Sequence, residues 1–149
     1  MKKDRYNDRI LHELTRDARI TNAELAERIG LSASACLRRV QELEREGVIK
    51  GYRAKLNSLK LGKGFAAYVA VGLSEHTKEA QLTFEQAIIQ SPDVLECHNV
   101  TGPYEYLLRV ETNDLTAYKS FHTDVLGMIP GVATISTHVV MGSPKDLRE

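Results

Sequence analysis

The stretch Thr21–Arg39, TNAELAERIGLSASACLRR, decides the fold of the N-terminal part of this 149-residue chain. Thr21 followed three residues later by Glu24 forms a capping box, and Ser32 is a second helix start of similar chemistry. Gly30 falls between the two starts, where a helix ends most easily in the left-handed conformation. The stretch therefore predicts two short helices joined by a tight turn at Gly30.

The flanking residues extend this pair to a winged helix-turn-helix. Ile10 and Leu14 belong to an apolar repeat that predicts a helix over residues 4–16. A further apolar stripe follows the second helix start and ends at Gly47. The alternating residues 48–56, VIKGYRAKL, then predict a β-wing. In such a domain the second helix of the pair enters a DNA major groove.

The charges are divided unevenly along the chain, although the formal net charge is zero. Residues 1–62 hold 14 Lys or Arg and 9 Asp or Glu, a balance of +5. Residues 63–149 hold 6 and 11, a balance of −5. A basic N-terminal half favours a polyanionic partner, and an acidic C-terminal half does not.

The second half of the chain alternates strand and helix patterns. In order, the segments are a strand over 65–73, a helix over 78–90, strands over 94–101 and 104–111, a helix capped by Asn113, and a strand over 132–141. The order β-α-β-β-α-β predicts a ferredoxin-like domain. The chain is thus expected to be an α+β protein. Its predicted parts are a winged helix-turn-helix over 1–56, a linker over 57–64 and a ferredoxin-like domain over 65–149.

Two packing expectations follow from the apolar patterns of this second domain. In the helix capped by Asn113, the residues expected to face inward are Leu115, Tyr118, Phe121 and Val125. Both faces of the strand over 65–73 are largely apolar, so one face is left over after the helices pack. Sheet-to-sheet contact with a second copy would cover that face, and we expect at least a homodimer.

The outward face of the third helix carries the candidate DNA contacts. With Cys36 and Leu43 facing the core, Ser34, Arg38 and Gln41 point to the opposite side, as does Arg45. Hydroxyl, guanidinium and amide groups suit phosphates and base edges in double-stranded DNA. The predicted DNA-binding residues are Ser32, Ser34, Ala35, Arg38, Arg39, Gln41, Lys50 and Arg53.

Within this set, three kinds of role are distinguished. Arg38 is the candidate for pairing with guanine, and Ser32 at the helix N-terminus is a candidate for holding a phosphate. Arg39 lies on the flank of the helix near Glu42, so it either contacts DNA or forms a structural ion pair. Lys50 and Arg53 on the predicted wing, together with Lys55, are candidate phosphate contacts.

No catalytic, cofactor or metal site is evident in the sequence. The five histidines lie in different predicted elements, without the spacing of metal ligands. Cys97 and His98 are adjacent, but strand neighbours face opposite ways, which disfavours a thiolate–base pair. Cys36 and Cys97 are expected to be reduced core residues of a cytoplasmic protein. No segment approaches the length of a membrane span, and the charged N-terminus is unlike a secretory signal.

Three segments resemble the leucine-responsive/asparagine-regulator (Lrp/AsnC) family. They are DRILHELTRDARITNAELAERIGLSASACLRRVQELEREGVIKGYRAKL over 8–56, TGPYEYLLRV over 101–110 and PGVATISTHVVM over 130–141. The resemblance implies a winged helix-turn-helix joined to a ferredoxin-like effector domain. It also implies homodimers formed through that second domain, often assembled further into octamers. Effectors in the family are typically amino acids bound between subunits.

The hairpin turn is the candidate effector site. An amino acid needs an acceptor for its ammonium group and donors for its carboxylate, which Glu105 and the backbone beside Gly102 can supply. The family has an aspartate where this chain has Glu105, and the longer side chain predicts a shifted or smaller effector. The alternative is an exposed strand carboxylate paired across the hairpin. Tyr104 is a candidate pocket residue, and the resemblance implies Thr137 and His138 as response positions.

These patterns together favour a sequence-specific, DNA-binding transcriptional regulator modulated by an amino acid or a related small metabolite. One alternative is an architectural DNA-binding protein without an effector. A small enzyme built on the ferredoxin-like domain is another, because that fold hosts several chemistries. A third is a pure assembly adaptor. The missing catalytic cluster argues against the enzyme, and the basic N-terminal half argues against the adaptor.

Overall fold

The computed structural model describes residues 4–148, and the chain divides into two compact units between Ala54 and Lys55. The first unit contains the helices α1 (Arg5–Arg16), α2 (Asn22–Ile29) and α3 (Ala33–Arg45). The second unit contains β1 (Phe65–Leu73), α4 (Lys78–Ile89), β2 (Val94–Asn99), β3 (Tyr106–Thr112), α5 (Leu115–Ser120) and β4 (Val132–Val139). The division falls just before the predicted linker, and the proposed domain boundaries stay predictions.

The predicted helix ends of the first unit are confirmed. The Thr21 hydroxyl accepts the Glu24 N–H at 3.2 Å, and the Ser32 hydroxyl accepts the Ala35 N–H at 3.2 Å. Gly30 ends α2 with φ 77°, a left-handed conformation that costs a glycine little. These local bonds satisfy N–H groups that a helix start leaves without backbone partners. The turn between α2 and α3 therefore follows from the sequence.

The core of the first unit forms where its three helices meet. Leu25 and Ile29 of α2 lie against Ile10 of α1 and Leu43 of α3, all almost fully buried. Cys36 is also buried there and is a free thiol, as expected. The full buried set is Ile10, Leu25, Ala26, Ile29, Cys36 and Leu43.

The prediction of a strand at the β-wing is wrong, since no strand precedes Phe65 in the described residues 4–148. Gly47 turns the chain with φ 73°, and the Ile49 N–H then donates to the Leu43 carbonyl at 3.1 Å. Ile49 packs against the helical core. The residues beyond it, up to Leu56, are exposed and form no ladder. An alternating pattern forms a strand only where another strand pairs with it.

The second unit is the predicted ferredoxin-like domain. Its four strands form one sheet in the order β2-β3-β1-β4, with every neighbouring pair antiparallel. Val69 in the middle of β1 lies opposite Leu108 on one side and Thr137 on the other. The long crossover connections carry α4 and α5, which cover one face of the sheet. The predicted α+β fold class is thereby confirmed.

The two faces of the sheet differ in chemistry. The helix-covered face buries the odd-numbered residues of β1 with Phe84 and Ile88 of α4. On the other face, Tyr68 of β1 lies opposite Arg109 of β3. Arg109 and Glu111 are only 5% and 7% exposed, and their charged groups lie 3.6 Å apart. The second face is therefore partly charged, although its β1 residues are apolar.

The C-terminal segment of the described chain lies against that charged face. Arg148 donates to Glu96 at 2.7 Å and to the Tyr68 hydroxyl at 3.3 Å. It also holds Asp146, at 2.9 Å through its Nε, which keeps the pKa of that carboxyl well below its usual range. Residues 141–148 contain no strand. The segment thus covers part of the face that the sequence left for a second copy.

The helix that follows β3 differs from its prediction in register. Its cap is Asp114 rather than Asn113, with the Asp114 carboxylate accepting the Ala117 N–H at 2.7 Å. Tyr118 and Phe121 are buried as predicted, whereas Leu115 is exposed.

A π-helical turn explains the rest of this difference. It spans Phe121–Val125 and is followed by a short 3₁₀ turn over Leu126–Met128. A π turn adds a residue to the helical repeat, so the buried stripe moves by one position beyond it. Leu126 and Ile129 therefore pack into the core, and the predicted inward position of Val125 is wrong.

Candidate functional site

The outer face of α3 presents exposed polar side chains. Ser34, Arg38 and Gln41 are exposed, on the side of α3 opposite the buried Cys36 and Leu43. Within the described residues 4–148, Arg38 and Gln41 form no hydrogen bond or ion pair. This face therefore offers a guanidinium and an amide for contacts outside the chain.

Arg45, two turns further along α3, differs from Arg38. Its guanidinium lies 3.5 Å from the Glu42 carboxylate, and both side chains are largely exposed. An exposed pair of this kind contributes little to stability and opens at low cost. The first turn of α3 carries no acidic residue. Of the two arginines on the outer face, Arg38 is thus the one without an ion pair in residues 4–148.

Arg39 lies on a different side of the helix from these residues. Its Nη1 donates to the Asp4 carboxylate and, at 3.0 Å, to the side chain of Asn7. The guanidinium also lies 5.3 Å from the centre of the Tyr6 ring. The hydrogen bond from Arg39 lowers the pKa of Asp4. Arg39 thus forms the structural ion pair that the sequence left open as an alternative, with Asp4 rather than Glu42 as its partner, and it ties α1 to α3.

The N-terminus of α3 is held by two side chains. The Ser32 hydroxyl caps the helix and lies 3.4 Å from the Ser34 hydroxyl. The Asn22 side chain donates to the Ala33 carbonyl at 2.9 Å across the turn. The sequence reasoning missed Asn22, because a polar residue at a helix start shows no sign of a contact eleven residues away. Ala35 is half-buried.

Lys50 and Arg53 are exposed on the extended segment after α3, and neither forms an ion pair within residues 4–148. Between them, the Tyr52 hydroxyl donates to Glu44 of α3 at 2.9 Å. Burial and the nearby Glu44 carboxylate raise the pKa of Tyr52 to about 12. This bond keeps the segment beside the C-terminal half of α3. Lys55 belongs to the second unit and has contacts of its own.

In the second unit, the Glu105 carboxylate lies at the end of β1. One oxygen accepts the Leu73 N–H at 2.7 Å, and the other lies 2.7 Å from Nδ1 of His76. The Glu105 side chain is only 16% exposed, whereas His76 is largely exposed. Glu105 precedes β3 rather than belonging to it. The alternative of an exposed strand carboxylate is therefore wrong.

The backbone N–H and carbonyl of Glu105 are both hydrogen bonded as well. Its N–H donates to the Val71 carbonyl at 3.1 Å, and its carbonyl accepts from the Val100 N–H at 2.8 Å. The Asn99 amide donates to the same carbonyl at 3.0 Å. A Cβ at Gly72 would lie 2.3 Å from Thr134 Oγ1 and 3.6 Å from the Glu105 carboxylate. The missing side chain at Gly72 therefore leaves room for the Thr134 hydroxyl, whereas the distance to Glu105 is an ordinary contact.

The other predicted effector residues lie at different places around the sheet. Gly102 is exposed with φ 122°, and Tyr104 is half-buried. Thr137 faces the helices, where its hydroxyl is hydrogen bonded to that of Tyr118. His138 is exposed on the other face, with Nε2 3.3 Å from Ser136 Oγ. Within one chain, Thr137 and His138 do not line a common pocket.

Side chains suited to nucleophilic or metal chemistry are not gathered in the described part of the chain. No group of three or more His, Cys, Asp or Glu side chains that could hold a metal ion occurs there. Burial, with a smaller effect of Glu85, raises the pKa of the Cys97 thiol to about 11. A thiol of that kind stays protonated near neutral pH, so it is a poor nucleophile. No helix among the described residues is long and apolar enough to cross a membrane.

Known families and proteins match both units. A family model described as "Winged helix-turn-helix DNA-binding" matches residues 4–50, and one described as "Lrp/AsnC ligand binding domain" matches residues 66–149. The leucine-responsive regulatory proteins of Escherichia coli K12 and Klebsiella pneumoniae are each 39% identical over 142 residues. Each match covers 95% of this chain and 87% of the relative.

Solved structures of transcriptional regulators are also similar to this chain. A transcriptional regulator from Neisseria meningitidis, solved as a complex with L-methionine, is 34% identical with a TM-score of 0.92. The match covers 96% of this chain and 92% of that one. LrpC of Bacillus subtilis is 28% identical with a TM-score of 0.86, covering 97% of this chain and 99% of that one.

Proposed function

The chain belongs to the Lrp/AsnC family of transcriptional regulators, and on that premise we propose that it reads its operator through the outer face of α3. Ser34, Arg38 and Gln41 contact base edges, while Ser32 at the helix N-terminus holds a phosphate. Lys50 and Arg53 contact the flanking phosphates, and Ala35 lies in the first turn of α3 between Ser34 and the core. Arg39 acts indirectly, by fixing α1 against α3.

The observation that carries this proposal is that the Arg38 guanidinium is exposed and has no partner among residues 4–148. Because Arg38 has no ion pair within residues 4–148, its binding to DNA does not require breaking one. A guanidinium matches the two major-groove acceptors of guanine, a pairing that gives both affinity and discrimination. Arg39 is held by the less exposed Asp4, whereas Arg45 has only the exposed Glu42 as partner.

The test compares two arginine substitutions of equal charge. Duplexes are first selected from a random library with the wild-type protein, and their affinities are measured by mobility shift against scrambled DNA. Arg38→Ala is expected to weaken the selected site roughly 5- to 150-fold and to relax base preference. Arg19→Ala, which removes an exposed arginine from the α1–α2 connection, is the matched control. Equal losses on selected and scrambled DNA would contradict a base-reading role for Arg38.

For the second unit, we propose a small amino acid as effector, with Glu105 accepting its ammonium group. The L-methionine complex of the Neisseria relative supports this class of ligand. The Glu105 carboxylate is already bound to the Leu73 N–H and to His76. Since His76 is largely exposed and the Leu73 N–H is fixed, His76 is the partner that an ammonium group replaces. Gly102, Tyr104 and residues of a second subunit complete the site.

Titration calorimetry with each of the twenty amino acids, starting with methionine, tests the effector proposal. Glu105→Gln is expected to weaken the binding of the best amino acid at least about tenfold, since it removes the negative charge. His76→Ala is expected to strengthen binding, because it removes the competing partner. Glu79→Gln, at an exposed carboxylate of α4, serves as the control. Unchanged affinity in Glu105→Gln would contradict the assignment.

A second candidate function is an architectural DNA-binding protein without effector. The observation favouring it is that the Glu105 carboxylate is satisfied within the chain. Mobility shifts with and without a pool of amino acids distinguish the two functions. A regulator changes its affinity or its complex size when the pool is added, whereas an architectural protein does not.

We further propose that the protein works as a cytoplasmic homodimer or higher homo-oligomer and acts by binding rather than by catalysis. Two copies present two α3 helices to a roughly palindromic site. The sheet face that bears Tyr68 is the proposed contact between copies, once the segment held by Arg148 moves away. Analytical ultracentrifugation measures the assembly state. A monomer at micromolar concentration, with one protein bound per selected duplex, would contradict the proposal.

A further inference from the structure

Leu37 is an apolar residue on the face of α3 that is otherwise polar. Its exposure is 45%, although the neighbouring Cys36 is completely buried. The core of the first unit does not include Leu37. No packing requirement of the described chain therefore accounts for a leucine at this position.

The helical repeat places Leu37 among the proposed base contacts. Ser34, Leu37, Arg38 and Gln41 have the spacing i, i+3, i+4 and i+7, which puts them on one side of an α-helix. A helix that brings the Arg38 guanidinium to a base edge thus brings the Leu37 side chain to the same groove. Its isobutyl group reaches the region beside Arg38 and Gln41.

The major groove contains one apolar group that such a side chain can contact. This group is the C5-methyl of thymine, whereas the other base edges present hydrogen-bond donors and acceptors. Burying an isobutyl group against a donor or an acceptor leaves that polar group unsatisfied, which disfavours the other bases. We propose that Leu37 recognises thymine through its C5-methyl group, next to the base contacted by Arg38. The inference rests on the proposed DNA-reading role of α3.

Deoxyuridine provides the test, because it differs from thymidine only by the absence of this methyl group. In a duplex selected with the wild-type protein, thymidines are replaced by deoxyuridine one at a time and then together. The affinities of wild type, Leu37→Ala and Leu82→Ala are compared for each duplex. Leu82 on α4 is 46% exposed, so it controls for the loss of an equally exposed leucine.

For the wild type, deoxyuridine at one or two positions in each half-site is expected to weaken binding about fourfold per methyl group. Leu37→Ala is expected to bind both forms of these duplexes equally, and Leu82→Ala to keep the wild-type ratio. Leu37→Gln, which retains length and helix propensity, is expected to lose the thymine preference as well. Circular dichroism establishes that each variant is folded.

The proposal is overturned if the wild type does not distinguish the two nucleotides at any position, or if Leu37→Ala retains the wild-type ratio. In either case the effect of Arg38→Ala on the same duplexes decides the proposed function separately. Loss of specificity in Arg38→Ala without any effect at Leu37 leaves α3 as the reading helix and removes only the thymine contact. Absence of specific DNA binding by the wild type overturns both.

Discussion

The two units of the chain hold their charges in different ways. In the first unit, Arg39 and Arg28 pair with carboxylates where helices meet, and Arg38 on the outer face is left without a partner in residues 4–148. In the second unit, Arg109 pairs with Glu111 and Glu105 pairs with His76. The first arrangement leaves a surface for an external partner. In the second, the charged groups at Glu105 and Arg109 are already paired.

The difference bears on how a signal passes from ligand to DNA. In the proposed function, Arg38 contacts DNA without first giving up a partner among residues 4–148. In the proposed function, an effector that binds at Glu105 replaces the internal contact with His76. A ligand changes DNA binding only through different affinities for two states of the protein. In this proposal, Glu105 bound to His76 and Glu105 bound to the effector are two such states.

The buried pair of the second unit allows the strongest test of this comparison. Arg109→Ala leaves the Glu111 carboxylate almost fully buried without its cation, and the free energy of unfolding is expected to fall by roughly 3–5 kcal/mol. Urea unfolding followed by circular dichroism measures the change. The double variant Arg109→Met with Glu111→Leu is expected to regain most of the loss. If Arg109→Ala were as stable as wild type, the Arg109–Glu111 pair would not be a structural contact that distinguishes the second unit from the first.

Acid conditions test the ion pair that joins α1 to α3. The hydrogen bond from Arg39 lowers the pKa of Asp4 below its usual value of 3.8. The stabilisation is therefore complete above about pH 5 and is lost as the pH falls through the lowered pKa. Asp4→Asn keeps an N-cap acceptor but removes the charge. We expect its melting temperature to fall less than that of wild type between pH 6 and pH 3, and parallel curves would contradict the assigned pair.

A smaller effect is expected for the exposed pairs of the first unit. Arg28 lies 2.9 Å from Glu13 and 2.6 Å from Glu24, and about half of its side chain is exposed. Arg28→Ala is expected to destabilise the protein much less than Arg109→Ala, with a difference from wild type that shrinks in concentrated salt. Unfolding at low and high sodium chloride measures this. A loss independent of salt would point to packing by the arginine stem instead.

The smallest expected effect concerns Tyr52. Burial and Glu44 raise its pKa to about 12, so the folded state favours the neutral phenol. That contribution to stability is present below pH 10 and is lost as the pH rises towards 12. The ultraviolet absorbance of phenolate, compared between wild type and Tyr52→Phe, isolates this group. Glu44→Gln is expected to lower the pKa, and an unchanged titration would contradict the hydrogen bond.

Much of the fold was predictable because its signals are local. The caps at Thr21 and Ser32 and the left-handed Gly30 each depend on residues a few positions apart, and all three are observed. The outer face of α3 followed from the same periodicity. The wing strand and the inward position of Val125 were mispredicted, because the first needs a pairing partner and the second depends on a π turn.

The candidate effector site was predictable only in part. Glu105 was singled out from the residues and from the family resemblance, but His76 was missed, since it lies 29 positions earlier in the chain. The same holds for Asn22 and for the partner of Arg39. Side-chain pairs that span loops or join separate helices leave no regular spacing in the sequence.

The sequence by itself determined the helix-turn-helix, the order of strands and helices in the second unit, and the exposed polar side chains on α3. Hydrogen bonds at helix ends and apolar periodicity act over a few residues, so they can be deduced from the order of amino acids. Only the tertiary structure decided which charges are free and which are paired, leaving Arg38 open and Arg39 and Glu105 engaged. Those pairings depend on distances between elements, which packing of the two cores sets.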